Sequence, residues 1–195
     1  MEQSTFKSAA TALLLCALAA CSSPSNPETD KMMADHKAML AADSAASANE
    51  AACVACFERI FAMFGSGDAT GIEDCIDANF IEHSPPPPGI TSTGIQYLKD
   101  VIAWNHAAFP DMKMTIVSSA MKGDLMFVHY NQKGTNSGPM GPGMPATNKA
   151  IDVNGVDIIR WQNGKATEHW GYWDETKMMQ QLGLAPVPGA EEPKK

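Results

Sequence analysis

Apolar positions follow a helical rhythm through the first half of this chain and a two-residue rhythm through the second. From Glu50 onward, Cys53, Phe57, Ile60, Phe61 and Phe64 keep the 3.6-residue period and stop at Gly65-Ser66-Gly67, which predicts a helix ended by glycine. Upstream, from Lys31 to about Ala48, the chain is rich in Ala, Met, Lys and Asp with no Gly or Pro, which allows a helix, but its poor apolar face equally suits an exposed extension. Asp68 can cap a second short helix through Cys75, after which Phe80-Ile81-Glu82-His83 is a brief extended piece. Pro85 to Pro88 cannot be helix or central strand and forms a rigid loop. Thr93 then opens a third helix with Ile95, Leu98, Ile102 and Phe109 along one side, closed by Pro110. Beyond Pro110 the pattern predicts strands over Met112–Met121 and Leu125–Thr135, turned at Gly123-Asp124. A Gly- and Pro-rich loop (136–148) follows, then a hairpin of Ile151–Trp161 and Ala166–Trp173 about Asn163-Gly164. Asp174 caps a last short helix through Leu182, and residues 185–195 read as a disordered Pro-rich acidic tail. Helices first and long sheet strands afterwards predict an α+β domain over 50–184, three helices lying on one face of a curved antiparallel sheet.

Both faces of the last hairpin carry apolar bulk. Val153, Ile159 and Trp173 lie on one side; Val156, Ile158, Trp170 and Tyr172 lie on the other. The helices cover only one face, so a second copy of the chain is the expected cover for the other, giving a homodimer through the sheet.

Composition narrows the partners. The chain is 45% hydrophobic, enough for a substantial core, and its formal charge of −8 argues against nucleic acid or an anionic membrane surface. The N-terminus changes the picture further. Lys7 precedes an apolar run from about Ala9 that is too short to span a bilayer and runs directly into Leu18-Ala19-Ala20-Cys21. This resembles the lipobox of bacterial lipoproteins, in which the cysteine is acylated. It implies a signal peptide over 1–20, lipidation at Cys21, a tether through 21–49, and a cell-envelope location with the lipid as the sole membrane attachment. Of the remaining cysteines, an oxidising compartment makes one disulfide and one spare thiol the default. An antiparallel arrangement of the first two helices favours Cys56 with Cys75, although helical phase could select Cys53 instead. No metal or cofactor is expected, because one Cys-x-x-Cys and scattered histidines make a poor ligand set.

Several landmarks recur in a recognisable order: Asn79-Phe80-Ile81-Glu82-His83-Ser84-Pro85, Phe109-Pro110-Asp111, Gly134-Thr135, Gly141 to Thr147, Gly155-Val156-Asp157-Ile158-Ile159-Arg160, Asn163-Gly164-Lys165, Glu168-His169-Trp170 and Trp173-Asp174. In this register the chain from about Phe57 to Leu184 resembles the SnoaL-like polyketide cyclase (ester cyclase) family of the nuclear-transport-factor-two-like superfamily. The resemblance implies a cone-shaped α+β barrel with an internal apolar pocket for a small hydrophobic, carbonyl-type molecule. Cyclases of this family use an acid/base Asp near the end of the last strand and a His on the neighbouring strand. Those positions are Gly171 and Asp157 here, so both catalytic identities differ.

Asp157 and His169 remain candidates for isomerase, cyclase or hydrolase chemistry. A two-residue Asn163-Gly164 loop would put them on opposite faces; a three-residue loop with a bulge at Gly164 would make them direct cross-strand partners. The resemblance favours the second register. A carboxylate beside the imidazole would then suit acid/base work near neutrality, or the pair would only close the barrel. His83, Trp104, Tyr130 and Trp173 are the expected ligand-binding residues. The alternative function is a hydrophobic-ligand-binding envelope protein without chemistry.

Overall fold

The computed structural model describes residues 26–187. The expected signal segment, Cys21 and the tail beyond residue 187 lie outside the described residues. The chain divides into two compact units, Met1–Ala42 and Asp43–Lys195. The described part of the first is helical and exposed, with a Lys31–Asp35 ion pair one turn apart.

Helix α1 (Pro27–Ser66) is continuous, so the weakly amphipathic extension and the core helix are one element. Its second-unit portion buries Cys53, Phe57, Ile60, Phe61 and Met63, matching the helical period of the sequence. The expected second helix reduces to a single 3₁₀ turn, Ile72–Asp74, because the strand after it begins earlier than the pattern indicated. That strand, β1 (Ile76–Glu82), is followed by α2 (Gly94–Ala108), β2 (Lys113–Lys122), β3 (Leu125–Thr135), β4 (Ala150–Gln162), β5 (Lys165–Trp173) and α3 (Glu175–Leu182). Asp174 caps α3, accepting a hydrogen bond from the Lys177 amide at 2.9 Å.

The sheet order is β1-β5-β4-β3-β2. The sheet is mixed rather than antiparallel: β1 runs parallel to β5, while the other neighbours are antiparallel. A parallel partner requires a long crossover, and the whole chain between β1 and β5 supplies it. α2 packs on β1 and α3 on β4. The main core joins Phe57, Phe61, Ile102, Val128 and Ile159 between the α1 and α2 side and the inner sheet face, and a smaller core gathers Phe109, Met112, Met140, Ile151 and Leu182. A disulfide joins Cys56 of α1 to Cys75, with Cα atoms 5.5 Å apart, and leaves Cys53 as a buried thiol.

The β4–β5 hairpin resolves the register question in a third way. Gln162 pairs with Lys165, so the loop is the two-residue Asn163-Gly164 form, with φ of 52° and 77°. Positive φ at both positions is the twist-matched hairpin turn that Asn-Gly favours. The extra residue lies in β5 instead: Trp161 pairs with Ala166 and Arg160 with Glu168, which leaves Thr167 as the bulge. That single insertion reverses the alternation of β5 beyond it. Asp157 therefore sits opposite Gly171 and His169 opposite Ile159, and both side chains face inward as diagonal rather than direct neighbours.

Candidate functional site

The inner sheet face, α1, α2 and the Pro loop enclose a cavity of about 580 Å³. That volume is within the ordinary range for small-molecule sites. Most of its wall is aromatic and aliphatic, including Phe61, Tyr97, Trp104 and Ile159, with a second region of methionines at 112, 114, 140, 144, 178 and 179. These methionines, of which Met112 and Met140 also belong to the smaller core, give the space an adaptable, polarizable lining.

Against this apolar wall stands one buried polar chain. His169 Nδ1 is 2.6 Å from Glu82 Oε2, and its Nε2 is 3.3 Å from Asp157 Oδ2. Glu82 Oε1 also accepts from the Ser84 amide at 2.8 Å, and Ser84 Oγ accepts from the Gly171 amide at 2.8 Å. Asp157 is 6% exposed and Tyr130 is 4% exposed, so the cluster is closed from bulk water on the sheet side.

Electrostatics follow from this arrangement. Burial alone would pull the His169 imidazole down, but hydrogen bonds and charge from Asp157 and Glu82 outweigh it and hold the group up, at about 10. Glu82 is resisted by its own burial, yet its bonds to His169 and Ser84 carry it below the usual carboxylate value. Burial, then the adjoining Asp157 carboxylate, pushes the Tyr130 phenol far up. Burial and the Glu82 charge lift Tyr97 to about 12. At neutral pH the centre therefore holds an imidazolium between two carboxylates, beside neutral phenols. Glu82 gives His169 a second carboxylate partner beside the Asp157 expected from the sequence.

Glu82 is the residue sequence reasoning missed. A signal was present: the dipeptide Glu-His occurs at 82–83 and again at 168–169. The parallel β1–β5 register sets Glu82 level with His169, and the two dipeptides pair crosswise. Glu82 meets His169 on the inner face. His83 Nε2 meets Glu168 Oε2 at 2.9 Å on the other, where the His83 ring stacks on Trp170 with centroids 4.3 Å apart.

The remaining expected residues divide accordingly. Trp104, Tyr130 and Trp173 line the cavity, with the Trp104 indole donating to the Met140 carbonyl at 3.2 Å. His83 does not; strand alternation turns it to the outer face between the inward Glu82 and Ser84. Among the described residues, no group of three or more His, Cys, Asp or Glu side chains is placed to hold a metal ion.

Two glycines make room for the cluster. A side chain at Gly155 would collide with the Tyr130 ring across the strand pair. A Cβ at Gly171 would lie 2.9 Å from His169 Cε1 and 3.3 Å from Asp157 Oδ1. Gly171 thus leaves open the space that Asp157 and His169 fill.

Comparison with known proteins places this geometry in context. The sequence model of the SnoaL-like polyketide cyclase family matches residues 55–182. TsrD from Streptomyces laurentii superposes with a TM-score of 0.63 at 22% identity, over 69% of this chain and 97% of that one. IdmH, a candidate polyketide cyclase from Streptomyces antibioticus, gives 0.58 at 25% identity, over 67% and 98%. A protein with a ketosteroid isomerase-like fold from Catenulispora acidiphila gives 0.51 at 17% identity, over 64% and 89%. No curated protein of assigned function matches the chain significantly.

Proposed function

Because this chain belongs to the SnoaL-like polyketide cyclase family, we propose that it takes a small hydrophobic carbonyl compound into its cavity and moves a proton at the carbon beside that carbonyl. The carboxylate of Asp157 takes the proton and returns it to the same or a neighbouring atom, the elementary step of isomerisation and of ring closure through an enolate. His169 acts as the positioning residue. Both its nitrogens are engaged, so it fixes the Asp157 carboxylate while Glu82 keeps the ring cationic. The observation that carries this reading is the Glu82–His169–Asp157 chain set into the wall of an otherwise apolar cavity.

A simple methyl ketone, 2-acetonaphthone, provides the test. Exchange of its methyl protons for solvent deuterium should be accelerated by the wild-type protein and fall by about 10²–10⁴ fold in Asp157→Asn, with ketone binding retained. Exchange at equal rates in wild type and Asp157→Asn would remove the catalytic reading. Retained binding in that case supports the rival, a hydrophobic-ligand carrier, which the saturation of both His169 nitrogens favours.

The Leu18-Ala19-Ala20-Cys21 ending supports a lipid anchor on Cys21 in a bacterial envelope. Cys21→Ser should then release the domain from membranes. Unmodified Cys21 on membrane-bound mature protein would contradict the anchor. The exposed apolar side chains of the outer sheet face, Val156, Tyr172, Phe127 and Ile81, support a homodimer through the sheet.

A further inference from the structure

The charges around the cavity are one-sided. Three carboxylates line it, Glu82 and Asp157 within and Glu175 in the first turn of α3, against the single imidazole of His169. Among the described residues no Lys or Arg lines it. Even with His169 cationic, one negative charge in the buried centre has no counter-charge, and Glu175 adds another that makes no ion pair among the described residues. Tyr130 and Trp173 from the sheet and Tyr97 and Trp104 from α2 add aromatic rings to the lining, and a ring face attracts cations. The chain as a whole carries −8, so the field focused into this low-dielectric cleft has the same sign as its lining.

We propose that the cavity selects organic cations, a protonated or quaternary amine borne on an apolar body, and rejects carboxylates of the same shape. This rests on the carbonyl-compound reading above and narrows it: the compound processed carries a basic nitrogen or is neutral, and is not an acid. Glu175 is the specificity residue for the amine, and the Asp157 and Glu82 carboxylates set the field deeper in. A neutral ligand enters on apolar burial alone. An anion would meet a net negative lining that includes no Lys or Arg among the described residues.

Four naphthalene probes of similar size separate the possibilities by calorimetric titration at pH 7 and low salt: trimethyl(naphthalen-2-ylmethyl)ammonium, 2-naphthylmethanol, 2-naphthylacetate and 2-acetonaphthone. The ammonium probe should bind about tenfold or more tightly than the alcohol, roughly 1.4 kcal/mol, and the acetate should bind more weakly than either. Glu175→Gln, a change on an exposed turn that leaves the core untouched, should cut the ammonium preference by about threefold without altering affinity for the alcohol. Equal affinity for ammonium and acetate overturns the charge selectivity while 2-acetonaphthone binding keeps the cavity reading. An unchanged preference in Glu175→Gln overturns the role of that residue. If none of the four probes binds, the carbonyl-compound reading falls, and the selectivity with it.

Discussion

At the scale of single residues, the site is a set of charges whose cost of burial is offset by mutual pairing, and pH should expose that dependence. The raised His169 group stabilises the fold fully below its ordinary value near 6.5, and this contribution is lost progressively as pH rises toward about 10. The lowered Glu82 group acts in the opposite sense: its contribution is complete above about 4.5 and fades as pH falls through its depressed value. The melting temperature should therefore be highest between about pH 4.5 and 6.5 and decline toward pH 10, and His169→Phe should flatten the alkaline slope. An alkaline slope unchanged in His169→Phe would show that other groups dominate. Glu82→Gln removes the charge while keeping an acceptor, and should cost about 1.5–3 kcal/mol in denaturant unfolding. Gly155→Ala forces the Tyr130 ring off the strand and should cost about 1–3 kcal/mol by overpacking. A stability within about 0.5 kcal/mol of wild type would mean that the ring has room to move.

At the scale of elements, local chemistry determines how the strands meet. The disulfide closes a 19-residue separation between α1 and the start of β1, and Cys56→Ser with Cys75→Ser should lower stability by about 3 kcal/mol. A double variant as stable as the parent would show that tertiary packing alone holds these elements. Asn136, fully buried, binds the Ala108 and Gly138 carbonyls and accepts from the Thr147 amide, which ties the long loop before β4 to the end of α2. Much at this scale was legible from the sequence. Phe57, Ile60 and Phe61 announce α1 by period, Asn163-Gly164 announces its turn, and Asp174 its cap, because each is determined by near neighbours. The bulge at Thr167 was not legible, since nothing in Ala166-Thr167-Glu168 distinguishes a paired residue from an extra one. Nor was the parallel β1–β5 pairing, which depends on contacts between segments more than eighty residues apart. Glu82 escaped with it: its partner is apparent only once that pairing is known.

At the scale of the whole molecule, the fold of the SnoaL-like family forms a cavity from the mixed sheet and the helices over it, and Asp157, His169 and Glu82 set a polar cluster into its largely apolar wall. The outer sheet face carries the apolar residues proposed to pair two chains, and Val156→Glu should convert a dimer to a monomer in light scattering while leaving ligand binding intact. A monomeric wild-type domain would contradict that assembly.

Proton transfer to Asp157 requires that its carboxylate face a bound carbonyl compound at reacting distance. A crystal structure of the protein with 2-acetonaphthone tests it directly. The ketone is expected in the cavity, its methyl carbon about 3–3.5 Å from an Asp157 carboxylate oxygen, with His169 still bridging Asp157 and Glu82. A ketone bound elsewhere, or one whose methyl group packs on the methionine wall out of reach of Asp157, would contradict it.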